Sequence, residues 1–269
     1  MLRNLGWLLI NCAQAIFLAV WTAFWITAAL VVLLLTFRRD LPLHMARTCW
    51  APGLLWVGGA RVEVEGGEGI DWSKPHIFLM NHQSAIDIPV AFTVLKTPLR
   101  FVAKRVLASV PFLGWYMWAT GMIFVDRERS TRAVQSLQRA GERIRAGASI
   151  LAYPEGTRSR NGRIQPFKKG AFVVAIEAQV PIVPVAIAGA DRVLSSTGFR
   201  VRPGTIRVRI GAPIPTAGLT RADRDALVRR VHDAIVDMHL SIGGAGGPRM
   251  RPVGAEAPGD EANARRQTA

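Results

Sequence analysis

The hydrophobic pattern opens with a long run that contains no charge. No charged side chain occurs between Asn4 and Phe37, and the stretch from Ile16 to Leu35 is almost wholly apolar. A membrane-spanning helix needs about 20 apolar residues, whereas this run would form a helix about 50 Å long against a hydrocarbon core of about 30 Å. The pattern predicts a membrane-embedded helical segment over residues 1–45. A tilted span, a span with an interfacial turn, and two short helices in one leaflet all fit its length.

The end of this run carries information on orientation. Arg38 and Arg39 follow the last apolar residues, and a basic body follows them, so we expect the carboxyl-terminal side to be cytoplasmic. A secretory signal peptide fits less well, because the apolar core is too long and no small-residue cleavage pattern precedes the arginines. A buried helix of a soluble protein is the remaining alternative.

From residue 46 onward, short apolar runs alternate with segments of helical periodicity. This alternation predicts an α/β fold with a mostly parallel central sheet flanked by helices, over residues 46–242. The tail at 243–269 is rich in Gly, Pro, Ala and Arg, lacks periodicity and is expected to be disordered. The predicted strands are 61–65, 76–80, 99–104, 121–127, 149–153, 181–187 and 205–210, and the predicted helices are 88–95, 130–146, 167–179 and 220–242.

The charge of the chain indicates an anionic partner. The formal net charge is +15, and residues 38–242 contain 29 basic and 16 acidic side chains. Such a domain attracts nucleic acid, anionic membranes or phosphorylated substrates. The two cysteines, Cys12 and Cys49, form no metal-binding pattern, and a disulfide is not expected because Cys12 lies in the apolar run.

A histidine and an aspartate follow the apolar run 76–80. His82 and Asp87 are five residues apart, which on one continuous helix would place their side chains roughly 140° apart. A strand that ends before His82 and a helix that starts near Asp87 would instead bring them together, with Asp87 also able to accept a backbone N–H as a cap. The carboxylate would then hold one imidazole nitrogen and leave the other free as a general base. An ordinary histidine beside a helix cap is the alternative.

A second polar stretch follows the strand predicted at 149–153. Pro154 ends the strand, Gly156 permits a tight turn, and Thr157 and Arg158 supply hydroxyl and guanidinium donors suited to a phosphate. A basic surface loop is the alternative interpretation. Because binding groups gather where the strands of an α/β sheet end, Lys104 and Arg127 are expected in the same region.

Four stretches together resemble motifs one to four of the glycerolipid acyltransferases, in the same order. They are His82-x4-Asp87, Gly121-x2-Phe124-x2-Arg127, Pro154-Glu-Gly-Thr-Arg158 and Val180-Pro-Ile-Val-Pro184. The lysophosphatidate acyltransferases are the most similar group, and the resemblance covers roughly residues 60–215. Two positions depart from the pattern: the segment 104–107 lacks the glutamate usual in bacterial members, and Tyr153 stands where phenylalanine is usual.

The resemblance implies roles for individual residues. His82 would be the base and Asp87 its partner, while Arg127, Glu155, Gly156 and Arg158 would belong to the acceptor site and Lys104 to a phosphate-binding position. From charge alone, Glu155 is a poor phosphate ligand, so it either orients Arg158, binds a glycerol hydroxyl or forms a structural ion pair. A direct role of Ser84 as acyl-carrying nucleophile is not expected, and turn N–H groups near Gly156 are the suggested oxyanion donors.

The expected function is transfer of an acyl group from an acyl thioester, acyl-CoA or acyl-carrier protein, to lysophosphatidate at the cytoplasmic membrane. The product would be phosphatidic acid for phospholipid synthesis, and no metal or other cofactor is expected. Glycerol 3-phosphate or a lyso-aminolipid is an alternative acceptor. A non-catalytic anionic-lipid or nucleic-acid binding protein is less consistent, and no nucleic-acid partner is expected, because the basic helix from residue 130 lacks aromatic side chains.

Overall fold

Residues 2–125 and 130–250 are described by a computed structural model. A π-helical turn over Ala46–Trp50 joins α2 to α3, and 3-10 turns occur at Arg105–Ser109 and Arg221–Asp223. The strands are β1 Ala60–Gly66, β2 Ile77–Met80, β3 Leu99–Lys104, β4 Ile123–Val125, β5 Ser149–Ala152, β6 Ile182–Ala188 and β7 Gly204–Ile210. The helices are α1 Leu2–Thr36, α2 Asp40–Met45, α3 Ala51–Val57, α4 Asp87–Val94, α5 Leu113–Ala119, α6 Ser130–Arg145, α7 Gly170–Ala178, α8 Ala190–Val193 and α9 Arg224–Ser241.

The seven strands form one sheet in the order β1-β7-β6-β2-β5-β3-β4. Every neighbouring pair is parallel except β6 with β7, which pair antiparallel. The predicted fold class is therefore confirmed. The central strands β2, β5 and β6 are buried throughout, which explains why the sequence shows them as apolar runs rather than as alternating patterns.

Two hydrophobic cores cover the two faces of the sheet. In β2, Phe78 and Met80 point into the core shared with α3 and α4, while Ile77 and Leu79 point into the core shared with α6, α7 and α9. All four side chains are at most 2% exposed. Each such burial contributes about 1.5–3 kcal/mol, so a shift of β2 by one residue would exchange both faces at once and is strongly disfavoured.

The N-terminal segment forms a helical hairpin against the side of the sheet. Helix α1 is continuous from Leu2 to Thr36. The chain then reverses direction at Phe37, which has a φ of +54°, and the return segment Asp40–Val57 follows. The indole N–H of Trp21 donates to the carbonyl of Trp50 (3.0 Å), and that of Trp50 donates to Thr22 Oγ1 (3.1 Å). The predicted boundary between the membrane-embedded segment and the α/β domain, at residue 45, falls inside this return segment and stays a prediction.

Helix α1 leaves most of its apolar surface uncovered. By length and composition Gly6–Thr36 can cross a membrane, and only 11% of its most apolar window is buried within the protein. A helix that is apolar on all sides is suited to lipid rather than to water. The uncovered surface of α1 is therefore the part of the described chain best suited to insertion into a bilayer.

The first part of the predicted tail, residues 243–250, makes specific contacts in the structure, and the expected disorder from residue 243 stays a prediction. Ile164 N–H donates to the carbonyl of Gly246 (2.8 Å), and Gly246 N–H donates to His239 Nδ1 (3.1 Å). Burial lowers the pKa of His239 to about 4, so the ring is neutral and can accept this bond. Residues 251–269 lie outside the described residues. The glycine-rich composition conceals these contacts because they use backbone groups.

Truncation separates the two parts of the tail. Deletion of residues 244–269 removes both hydrogen bonds of Gly246, and we expect Tm to fall by about 2–8 °C, since each bond is worth about 1 kcal/mol. Deletion of residues 251–269 alone is the matched control and should leave Tm within about 1 °C. Differential scanning fluorimetry of both variants checks this, and equal Tm values for both truncations would contradict it.

Candidate active site

Three adjacent parallel strands deliver polar groups to one edge of the sheet. His82 follows β2, Tyr153 and the turn after it follow β5, and Lys104 ends β3. These strands run in the same direction, so their carboxyl ends meet. The result is a cavity of about 930 Å³ whose lining includes His82, Lys104, Tyr153, Gly156, Thr157 and Arg158. Arg127 lies outside the described residues, and its predicted role stays a prediction.

His82 and Asp87 are in direct contact. The Nδ1 atom of His82 lies 2.7 Å from Oδ2 of Asp87, whose side chain is fully buried. Asp87 is the first residue of α4, so a strand, a turn and a helix start bring the two side chains together. Because a carboxylate accepts hydrogen bonds, Nδ1 carries the proton and Nε2 presents its lone pair. The imidazole is therefore in the tautomer that a general base needs.

The turn between His82 and Asp87 is held by that same carboxylate. Oδ2 accepts the backbone N–H groups of Gln83 (2.7 Å) and Ser84 (2.9 Å). The sequence predicted that Asp87 would cap the helix that follows. Its carboxylate instead accepts N–H groups of the residues that precede it, because the side chain at the start of α4 points back toward the turn. Asn81 fixes the other end of the turn through two hydrogen bonds to the backbone of Ile187 (2.8 and 2.9 Å).

Tyr153 supports the imidazole from one side. The rings of His82 and Tyr153 are stacked, with centroids 4.0 Å apart and planes 16° from parallel. The tyrosine hydroxyl is buried and has no hydrogen-bond partner among the described residues, and burial raises its pKa well above the usual range. The phenolic group is thus protonated. The sequence identified Tyr153 only as a departure from a motif, because stacking between residues far apart in the chain has no local signal.

Glu155 is buried behind the His82–Asp87 pair and does not line the cavity. Its Oε1 accepts the backbone N–H of His82 (2.7 Å), and its Oε2 accepts the backbone N–H of Gln165 (2.9 Å). Burial raises the pKa of this carboxyl to about 7, against the lowering effect of the two N–H groups. Of the three roles considered from sequence, none matches this arrangement. Glu155 instead ties the histidine loop to the turn after β5.

The raised pKa of Glu155 gives a stability prediction. A carboxyl whose folded-state pKa lies above its unfolded value of 4.5 stabilises the fold fully below pH 4.5, and this contribution is lost as pH rises through about 7. We expect E155Q to remove this dependence. The free energy of unfolding of the wild type relative to E155Q should therefore fall by on the order of 3 kcal/mol between pH 4.5 and pH 7.5. Denaturant unfolding at several pH values checks this, and a constant difference would contradict it.

The turn after β5 requires glycine at position 156. Gly156 has a φ of +78°, and a Cβ there would lie 2.9 Å from Cε of Lys168. The Gly156 N–H donates to the carbonyl of Tyr153 (3.0 Å), so it is not available to an oxyanion as the sequence hypothesis suggested. The turn instead directs Thr157 and Arg158, both exposed, to the rim of the cavity.

Ser84 is not placed as a nucleophile. Its side chain is fully buried, and its hydroxyl donates to the carbonyl of Leu194 (2.6 Å). The hydroxyl also lies 3.4 Å from the backbone N of Ile86, from which it accepts a hydrogen bond. The residue therefore closes the turn structurally, in agreement with the low expectation for an acyl-serine.

The cavity continues from His82 into an apolar channel. Its walls come from α1, the π-helical turn Ala46–Trp50, α3, α4 and α5, and include Phe17, Trp50, Phe92 and Met117. The segment 180–185 does not line the cavity and lies mainly in the buried strand β6. The channel was missed because its walls are side chains of elements far apart in sequence.

The comparisons with known proteins agree with this arrangement. The family model described as Acyltransferase matches residues 61–188. Human 1-acyl-sn-glycerol-3-phosphate acyltransferase beta is 38% identical over 185 residues, covering 68% of this chain and 66% of that protein. The human alpha form is 35% identical over 192 residues, covering 70% and 68%. The matches thus span about two thirds of these relatives' length.

A solved structure supports the same relationship. The crystal structure of the 1-acyl-sn-glycerophosphate acyltransferase from Thermotoga maritima has a TM-score of 0.78 and 25% sequence identity, and the match covers 89% of this chain and 97% of that chain. The α/β sheet, its histidine-aspartate pair and these similarities define an acyltransferase. The chain belongs to the 1-acylglycerol-3-phosphate acyltransferase family.

Proposed function

We propose that the protein transfers a fatty acyl group from an acyl thioester to the free hydroxyl of lysophosphatidate and so forms phosphatidate. The observation that carries this proposal is the 2.7 Å contact between His82 and a buried carboxylate in a cavity that also presents Lys104 and Arg158. A base, a cationic rim and an apolar channel match the hydroxyl, the phosphate and the acyl chain of these substrates. The names of the relatives agree with this acceptor.

In the proposed reaction, Nε2 of His82 takes the proton of the acceptor hydroxyl while the oxygen attacks the thioester carbonyl carbon. Asp87 stabilises the imidazolium that forms. When the tetrahedral intermediate collapses, the carbon–sulfur bond breaks and the thiolate takes the proton from the imidazolium. The protein needs no acyl-enzyme in this scheme, because a thioester is already activated and positioning supplies much of the rate. No metal or other cofactor takes part.

The acceptor phosphate is assigned to Arg158 and Lys104. A guanidinium binds a phosphate through two parallel hydrogen bonds, and an ammonium adds a second point charge. Thr157 adds a hydroxyl donor at the same rim. Arg127 is a further proposed contact, and Gly156 contributes by its turn rather than by a side chain.

We predict that R158A raises the KM for lysophosphatidate by about 10- to 100-fold, because a hydrogen-bonded charge pair of about 1.5–3 kcal/mol is lost. The KM for the acyl donor should change by less than about threefold. R160A is the matched control, since Arg160 is also exposed but does not line the cavity. Steady-state kinetics with each substrate varied separately checks this; a larger effect on the donor KM would move Arg158 to the donor site.

Membrane attachment brings both lipids to the site. Helix α1 presents a continuous apolar surface, and its inner face lines the same channel that opens at His82. We therefore place α1 in the bilayer, the catalytic domain on the cytoplasmic side, and the transferred acyl chain in the channel. The donor is acyl-CoA or acyl-carrier protein, and the channel is compatible with either because both deliver the same thioester.

An acceptor panel tests the proposed function. Purified protein is incubated with radiolabelled acyl-CoA or acyl-carrier protein and with lysophosphatidate, glycerol 3-phosphate or a lyso-aminolipid, and the labelled lipid is separated by chromatography. We expect phosphatidate as the main product, at least about tenfold above the other acceptors. Preferential labelling of another acceptor, or no transfer with either donor, would refute the assignment.

A further inference from the structure

We propose that four arginines at the amino-terminal edge of the sheet form a second anion site, which binds the phosphate headgroup of an anionic membrane lipid. The site, called here the arginine pocket, consists of Arg39, Arg100, Arg139 and Arg143. It does not depend on the acyl-transfer proposal, because none of these residues lines the catalytic cavity.

Three of the four arginines line a defined cavity. A space of about 280 Å³ is lined by Arg39, Arg139 and Arg143 together with Trp118 and the start of β4. Arg100 approaches from β3: a Cβ added at Gly121 would collide with the Arg143 guanidinium and lie 3.4 Å from Nε of Arg100. Two guanidinium groups therefore converge on the same glycine. This convergence is a built cationic site rather than a scatter of surface charge.

The positive charge of the pocket is not balanced within the described part of the chain. No carboxylate there forms an ion pair with Arg100, Arg139 or Arg143, while the nearby Asp40 is bonded to Arg38 at 2.8 Å. The pKa values of Arg100 and Arg143 are lowered, first by burial and then by neighbouring arginines, although Asp40 and Glu142 act in the opposite direction. Half-buried like charges of this kind are stabilised by a bound anion, and guanidinium forks match the oxygens of a phosphate.

The pocket is separate from the catalytic rim. Arg100 is the second residue of β3, and Lys104 is the last, so the two are about 13 Å apart along the strand. Arg139 and Arg143 lie on α6, which leads into the amino-terminal end of β5. The pocket and His82 are thus on opposite edges of the parallel strands.

The surroundings favour a lipid over a free phosphate. Arg39 follows the end of α1, where Phe37 is 85% exposed, and Trp118 in the pocket wall is 77% exposed. Trp115 on the same helix is also exposed. Exposed tryptophans beside arginines at the end of an apolar helix are typical of the headgroup level of a membrane. A lipid phosphate at that level would face the pocket directly.

The test uses the full chain in a neutral detergent. The dissociation constant is measured by calorimetry for a short-chain phosphatidylglycerol, a short-chain phosphatidylcholine and inorganic phosphate. We expect R139Q/R143Q to weaken phosphatidylglycerol binding by about tenfold or more, and to leave turnover of lysophosphatidate within about twofold. The matched control R145Q/R230Q removes two exposed arginines, one from the same helix, and should change the constant by less than about threefold.

Each other outcome overturns the proposal. Equal weakening of binding in the two double variants would show that net charge alone attracts the lipid. Unchanged binding in R139Q/R143Q would show that the arginine pocket is not the binding site. Weakening in R158A instead would place the lipid in the catalytic cleft. Phosphate or phosphatidylcholine binding as tight as that of phosphatidylglycerol would exclude an anionic lipid as the specific ligand. If the double variant does not fold, the single variant R139Q replaces it, because the Arg139 side chain is exposed. R139Q should also weaken phosphatidylglycerol binding, and unchanged binding would contradict the proposal.

Discussion

Replacing His82 by alanine should lower kcat for acyl transfer by about a thousandfold while leaving the fold and membrane attachment intact. The imidazole is the group that the structure places with a free nitrogen toward the cavity, and a positioned general base contributes about 10²–10⁴-fold. The ring packs on Tyr153 but its loop is held by backbone bonds to Glu155 and Ser159, which the substitution preserves. Initial rates at saturating donor and acceptor check this.

A neighbouring variant serves as control for H82A. S84A changes a residue of the same turn and removes a hydroxyl that donates to the carbonyl of Leu194 and accepts the backbone N–H of Ile86, so we expect activity to stay within about tenfold of wild type. If H82A retained wild-type turnover, the base assignment would be refuted. If S84A instead lost activity as completely as H82A, an acyl-serine would have to be considered.

Replacing Asp87 by asparagine should lower kcat by about 10³–10⁴-fold with little change in KM. The amide oxygen can still accept the N–H groups of Gln83 and Ser84, so the turn is preserved. The variant loses the negative charge that stabilises the imidazolium and fixes the tautomer of His82, and loss of such a charge in comparable triads has an effect of this size. Steady-state kinetics together with circular dichroism separates the catalytic effect from unfolding.

The alanine variant at the same position should behave differently. D87A leaves two backbone N–H groups in a buried turn without their acceptor, and each unsatisfied group costs about 1–3 kcal/mol. We therefore expect D87A to lose several degrees of Tm in addition to activity, whereas D87N should lose activity alone. Full activity in a folded D87N protein would show that the carboxylate has no part in catalysis.

Those parts of the fold that depend on local pattern were predictable from sequence. The apolar run at 77–80 is buried on both faces, and a run of this kind has few other interpretations when helical periodicity follows it. The helix at 224–241 begins beside Thr220 and Asp223, which form a capping box visible in the sequence. Local capping and periodicity are encoded by residues three or four positions apart, so no tertiary information is needed.

The N-terminal hairpin was only partly predictable. An apolar helix without a polar face gives no sign of which side packs on a partner, so the return segment 40–57 and its contact with Trp21 could not be inferred. The turn adds a second obstacle, because Phe37 adopts a left-handed conformation that is uncommon outside glycine. Tertiary packing, rather than a turn motif, holds this residue.

In the candidate site too, local features were predictable and contacts between distant segments were not. The spacing of His82 and Asp87 was sufficient to predict their contact, because a turn between a strand and a helix start is a local event. The partners of Glu155 were not predictable, since its oxygens bind backbone N–H groups of residues 82 and 165, and a backbone donor has no residue-type signature. The arginine pocket was hidden for a related reason: its four members come from three separate segments of the chain.

Thiol release in the absence of acceptor tests the central claim most directly. The account holds that His82 activates the acceptor hydroxyl and that the protein itself never carries the acyl group. Enzyme at micromolar concentration is mixed with acyl-CoA, free thiol is followed by absorbance, and lysophosphatidate is added later. We predict no rapid release before the acceptor arrives, and then one thiol for each phosphatidate formed. A burst of thiol equal to the enzyme concentration before acceptor is added, with the acyl group bound covalently to the protein, would contradict the account.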